Sequence, residues 1–104
     1  MPSDAFAVLA QPTRRQILGR LVETESSVSE LMEGLALSQP TVSKHLRVLR
    51  EAGLVSCTPE AQRRIYRIET APLQAVDGWL EPYRQLWTRH LDALERHLDK
   101  QEQR

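Results

Sequence analysis

Cysteine is nearly absent from this chain: Cys57 is the only one among 104 residues. That excludes an internal disulfide framework and a cysteine-built zinc site within one chain, and it fits a reducing compartment. Long apolar runs are missing too. No stretch approaches the ~20 consecutive apolar residues that a membrane-crossing helix needs, and no apolar N-terminal run precedes a cleavage site, so a cytoplasmic protein with no membrane partner is expected. Net charge is absent as well: 14 Lys and Arg balance 14 Asp and Glu, which taken alone argues against a nucleic-acid partner. At 104 residues the chain suits one domain, 1–104, with a modest core that a second copy would help to stabilise.

The charges that are present are unevenly placed. Residues 38–67 hold Lys44, Arg47, Arg50, Arg63, Arg64 and Arg67 against Glu51 and Glu60, a segment charge of +4 that leaves −4 for the remainder. A polyanion would meet that segment rather than the sum.

Periodicity and punctuation predict helices nearly throughout. Asp4 to Leu9 is a short helix with Phe6, Val8 and Leu9 on its apolar face. Pro12 suits a first helical position and opens a second helix through about Val22, with Ile17, Leu18 and Leu21 at core spacing. Glu23 to Ser27 reads as a polar break. Ser27-Val28-Ser29-Glu30 has the capping-box pattern and starts a helix from about Val28 to Gly34. Leu35 to Leu37 is a tight turn, after which Ser38 caps a helix whose first turn holds Gln39 and Pro40, where a missing N–H costs nothing. In that helix Val42, Leu46 and Leu49 form the core stripe, ended by Gly53. Val55 to Thr58 and Arg64 to Ile68 are strands joined by the turn-like Pro59-Glu60-Ala61-Gln62. Pro72 to about Gln101 is helical again, with Pro82 expected to kink or restart it.

Helix, helix, short helix, turn, helix and basic hairpin is the order of a winged helix-turn-helix domain, mainly α with a small β-hairpin wing. Residues 1–71 would form its DNA-binding core and 72–101 a C-terminal dimerisation helix. A helix set in the major groove meets base edges mainly with its N-terminal residues, which should be small or amide-bearing. Ser38, Gln39, Thr41 and Ser43 fit that demand, and Val42 is counted with them as well as with the core. Lys44 and Arg47 sit one turn on, placed for phosphate, and His45 reads as a helix residue bonding backbone or phosphate. Arg63 and Arg64 on the hairpin could contact the backbone or the adjacent minor groove.

The tail carries more apolar face than one small domain can cover. Leu73, Leu80, Trp87 and Leu94 repeat every seven residues, with Val76, Tyr83, His90 and His97 in a second row beside them. The expected use is a homodimer interface of Phe6, Leu9, Leu80, Tyr83, Trp87, Leu91, Leu94 and Leu98. Trp79, Tyr83, Leu86 and Trp87 are also a candidate pocket for an apolar effector, since a ligand between subunits would alter the separation of two recognition helices that must match half-sites about 34 Å apart.

Three stretches resemble the ArsR-type winged-helix repressors: Ala-Val-Leu-Ala-Gln-Pro-Thr-Arg-Arg-Gln-Ile-Leu at 7–18, the run from Leu37 to Val55, and Arg-Arg-Ile-Tyr-Arg-Ile at 63–68. The tail from Trp79 to Glu95 is similar to members without metal-sensing cysteines. The resemblance implies a homodimeric transcriptional repressor bound to double-stranded operator DNA, often its own operon's. Gln11 stands where relatives commonly have Asp, a poorer cap that leaves the helix start prone to fray.

Metal sensing through the family's Cys-x-Cys box is not expected, because residues 29–34 read Ser-Glu-Leu-Met-Glu-Gly. A zinc-responsive version using His90, Asp92, Glu95 and His97 is the alternative, although the family's ligand spacings are not reproduced, so no metal and no cofactor are assigned. Cys57 reads as a packed, inert residue. A winged-helix module that binds protein would need an apolar or acidic face over 39–47, and here that face is basic and polar. No phosphate loop or nucleophile-base pair supports an enzyme.

Overall fold

The computed structural model describes residues 3–102, with side chains from Ala5 onward. Its order is α1 (Ser3–Leu9), α2 (Pro12–Glu23), β1 (Ser26–Ser27), α3 (Val28–Leu35), α4 (Gln39–Glu51), β2 (Val55–Glu60), β3 (Arg63–Ile68) and α5 (Ala71–Glu102). This is a winged helix-turn-helix, mostly helical with a small antiparallel sheet.

Helix starts follow their local chemistry. At α3 the reciprocal capping box is complete: Glu30 N donates to Ser27 Oγ at 3.2 Å, and Ser27 N donates to Glu30 Oε1 at 3.0 Å. At α4, Pro40 lies in the first turn, and Ser38 Oγ accepts from Thr41 N. At α2, Gln11 makes no side-chain cap bond, as its poor capping chemistry implies. The core forms where the periodic stripes converge. Ile17, Leu31, Val42, Leu46, Leu49 and Leu54 are fully buried there, each less than 2% exposed.

The segment Glu23 to Ser27 is not simply a polar break. Ser26 and Ser27 are buried and form β1, paired with β3 as Ser26↔Tyr66 and Ser27↔Ile65. The sheet order β1-β3-β2 places β3 at the centre. The wing is also longer than the sequence suggests. Its register runs from Val55↔Ile68 to Glu60↔Arg63, so Pro59 and Glu60 are strand residues and only Ala61 and Gln62 make the turn. Pro59 is tolerated because β2 is an edge strand, where a missing N–H breaks no ladder.

The helix-turn-helix corner carries backbone strain. Leu37 N donates to Met32 O at 3.1 Å, the long bond of a Schellman ending, and Ala36 supplies the left-handed residue at φ 54°. That conformation costs an L-residue with a Cβ about 1–2 kcal/mol, against about 0.4–1 kcal/mol of extra unfolded-chain entropy for glycine. Ala36→Gly should therefore raise the thermal midpoint by a few degrees. A midpoint that falls on calorimetry would contradict this balance.

The last helix does not restart at Pro82. α5 runs unbroken through it for 32 residues, about 48 Å at 1.5 Å per residue. Arg84 splints the proline: it pairs with Asp77 Oδ1, donates to Asp77 O at 2.6 Å and reaches Glu81 Oε2 at 2.9 Å. The described residues span 68 × 30 × 21 Å, with α5 the long dimension.

Candidate nucleic-acid interface

The site is built on α4, whose two faces are sharply different. Val42, His45, Leu46 and Leu49 are buried, while Gln39, Ser43, Lys44 and Arg47 are exposed. Gln39, Ser43 and Arg47 fall at i, i+4 and i+8, one row along the helix, with Lys44 beside it. Among the described residues neither Lys44 nor Arg47 enters an ion pair, whereas Arg63 and Arg67 do. Their charges are thus uncompensated on the exposed face of α4, one and two turns beyond its N-terminal turn, an arrangement that attracts phosphate.

Two of the expected contact residues do not face outward. Val42 is 0% exposed and belongs to the core alone. His45 is 7% exposed, and its Nδ1 accepts from Arg14 Nε at 3.2 Å. The cause is geometric: His45 is three residues after Val42 and four before Leu49, so it lies on the buried stripe whatever its polarity. Ser38 and Thr41 are also engaged. Ser38 Oγ donates to Thr41 Oγ1 at 2.9 Å, which closes the first turn.

On the wing, Arg63 and Arg64 are both exposed but differ in company. Arg63 Nη1 pairs with Glu30 Oε1 at 3.3 Å, tying the wing to the capping box of α3. The Ser27 hydrogen bonds, and after them the Arg63 charge, hold the Glu30 carboxyl below its ordinary value. Solvent screens an exposed pair of this kind, so phosphate can compete for Arg63. Arg64 Nη1 lies 3.8 Å from half-buried Cys57 Sγ and has the freer guanidinium.

The α1 and α5 face has its own geometry. Phe6 meets Trp79 edge to face at 4.9 Å between centroids, and Trp79 lies 4.7 Å from Tyr83. Leu9 packs partly against the core of its own chain. No residue of α5 is buried. Trp87, Leu91, Leu94 and Leu98 are each about half exposed or more, up to 66% at Leu91. Trp79, Tyr83, Leu86 and Trp87 lie along one helix, each at least 38% exposed. Among the described residues no three His, Cys, Asp or Glu side chains converge as metal ligands in one chain, and none of the helices is long and apolar enough to cross a membrane.

Sequence reasoning missed the roles of Arg14 and Arg15. Arg15 Nη1 donates to Leu9 O at 2.8 Å and to Ala10 O at 3.1 Å, while Arg14 Nη1 donates to Val8 O at 3.4 Å. Two side chains of α2 thus satisfy the free carbonyls ending α1. The available signal was a short helix without a terminal glycine, followed by adjacent arginines.

Comparison with known proteins agrees with this geometry. Residues 11–56 match the model of the family described as bacterial regulatory protein, arsR family. The chain is 37% identical to the HTH-type transcriptional regulator Rv2034 of Mycobacterium tuberculosis over 100 residues, covering 96% of this chain and 91% of that protein. It is 30% identical to the transcriptional repressor SdpR of Bacillus subtilis over 78 residues, covering 75% and 87% of the two chains. Among solved structures, an ArsR-like transcriptional regulator from Rhodococcus sp. RHA1 superposes with a TM-score of 0.73 at 31% identity, covering 94% of this chain and 90% of that one.

Proposed function

This chain belongs to the ArsR family of bacterial regulatory proteins, and from that premise we propose that it is a homodimeric repressor of transcription that occludes a promoter by binding an inverted-repeat operator. It is a DNA-binding transcriptional regulator and not an enzyme. The observation that carries the finer reading is the exposed row Gln39, Ser43 and Arg47 with Lys44 beside it, set opposite a buried face of the same helix that is apolar but for His45. Gln39 and Ser43 read base edges, Lys44 and Arg47 hold phosphate, and Arg64, joined by Arg63 on release from Glu30, tracks the flanking backbone. The second copy covers the α5 stripe around Trp87, Leu91 and Leu94, and an apolar effector would enter where that copy closes over Leu86 and Trp87.

Fluorescence titration against a duplex from the chain's own upstream region, at two salt concentrations, tests this directly. Lys44→Ala should weaken binding to operator and random duplex alike and lower the salt slope by about one. Gln39→Ala should cost ~1–3 kcal/mol on the operator and relax the choice at one base pair. Equal losses on every sequence for Gln39→Ala would remove its base-reading role. Repeating the titration with EDTA and with added zinc separates a metal-independent repressor, whose affinity does not move, from a zinc-responsive one using His90 and His97.

A further inference from the structure

The Arg14 guanidinium sits where three helices meet. From α2, its Nε donates to His45 Nδ1 on α4 at 3.2 Å, and its Nη1 donates to the Val8 carbonyl of α1 at 3.4 Å. One rigid, planar group thus joins the recognition helix to the helix whose Phe6 packs on Trp79 of α5. The chemistry of this junction is one-directional. An arginine is always charged and can only donate, so Nδ1 of His45 must be bare, which leaves the imidazole neutral with its proton on Nε2.

We propose that Arg14 is a positioning residue for DNA binding: through neutral His45 and the Val8 carbonyl it fixes the roll of α4 relative to α1, and so links groove reading to the α1/α5 face. The proposal rests on the reading of α4 as the DNA-contacting helix. Rotation of α4 about its axis moves Gln39 and Arg47 together, because they lie on one row of the same rigid helix. The core stripe Val42, Leu46 and Leu49 anchors that helix by non-directional packing alone. The bond to His45 adds a directional constraint, on the flank that faces α1 and α2.

A neutral His45 also gives the junction a pH signature. The groups facing it are the Arg14 guanidinium from α2, the Val8 carbonyl side of α1 through Arg14, and Lys44 on its own helix; burial first, then the two cations, lowers its proton affinity. Protonation would remove the acceptor and set two cations 3.2 Å apart in place of the bond. The sign is fixed by linkage. A folded-state value below the ordinary 6.5 means that the unfolded chain binds the proton first, so stability begins to fall as pH drops below 6.5, while the junction itself is lost only as pH falls through the lower folded-state value.

The test uses the full chain, a duplex from its own upstream region, and four variants. Arg14→Lys keeps the charge and stem but replaces a two-pronged donor by a point, and His45→Leu keeps the volume but removes the acceptor. Both should bind DNA about tenfold more weakly while remaining folded by circular dichroism, within the range of couplings carried by residues outside the ligand contact. His45→Gln, whose amide oxygen can accept from Arg14, should recover most of that loss and bind with an affinity independent of pH between 5 and 7. Wild type should weaken as pH falls through the lowered folded-state value of His45, and its imidazole ¹⁵N spectrum at neutral pH should show hydrogen on Nε2 alone. Lys44→Ala is the reference. Loss of binding for Lys44→Ala with full affinity in Arg14→Lys and His45→Leu overturns the positioning role and leaves the DNA reading of α4 standing. Full affinity in Lys44→Ala as well removes that reading, and the positioning role with it. An imidazole protonated on Nδ1 at neutral pH overturns the junction whatever the DNA result.

Discussion

Replacing Leu91 and Leu94 together by lysine should yield a monomer whose operator affinity is lower by at least two orders of magnitude. The two side chains lie 66% and 55% exposed on α5, Leu91 four residues after Trp87 and Leu94 four before Leu98, on one stripe. Burying a leucine fully is worth about 1.5–3 kcal/mol, and in an interface with two-fold symmetry each substitution acts twice. Two lysines therefore replace four apolar contacts by four charges to be desolvated. The effect on DNA is larger than the loss of one contact surface, because linking two reading helices raises affinity by about 10²–10⁴ through effective concentration alone. The fold of the core should survive, since no α5 residue is buried in its own chain. The outer half of α5 should fray, a solitary amphipathic helix of this length being marginal in water. Light scattering with operator titration decides: a dimer of wild-type mass, or a monomer that binds with wild-type affinity, removes the α5 interface from the mechanism.

How much of this was legible in the sequence differs by element, and the differences have physical causes. α4 was readable from both ends because independent local signals agree there: a serine cap, a first-turn proline, a 3.6-residue apolar period and Gly53, which takes φ 75° at the stop. β1 was not readable. Two serines have no alternation to detect, and they become a strand only because β3 offers them a partner about forty residues on. The wing turn was placed too wide because proline and glutamate are poor strand formers, while the pairing Glu60↔Arg63 and the edge position of β2 compensate for both.

The contact residues on α4 divide in the same way. Gln39, Ser43, Lys44 and Arg47 lie outward, as their spacing requires. His45 was counted with the DNA contacts as a helix residue bonding backbone or phosphate, although it stands three residues after Val42 and four before Leu49, beside the core stripe. There the period was the better guide than residue type. Its partner Arg14, 31 residues away, could not be read from any local pattern. Val42 could serve only one of its two assigned roles, and packing decided for the core.

That core sets the second large effect. Leu46→Ala should destabilise the domain by about 2–5 kcal/mol, the range for truncating a leucine in a close-packed interior. Leu46 is 1% exposed, in the middle of α4, within a cluster that draws on α1, α2, α3, α4 and β2. Total stability for a domain of this size is about 5–15 kcal/mol, so the change takes a large share of it. At about 4–8 °C per kcal/mol for a domain near 100 residues, the thermal midpoint should fall by 10 °C or more. Leu86→Ala, 42% exposed on α5, is the matched comparison and should leave the monomer's core stability nearly unchanged. Chemical denaturation at fixed pH separates the two, read with the chain dilute enough to be monomeric. A loss below about 1 kcal/mol for Leu46→Ala would mean that the surroundings collapse into the vacated volume. The five elements would then be plastic enough to let α4 shift on its own packing. Directional contacts such as the Arg14 to His45 bond, rather than close packing, would then have to hold the reading face in register with the groove.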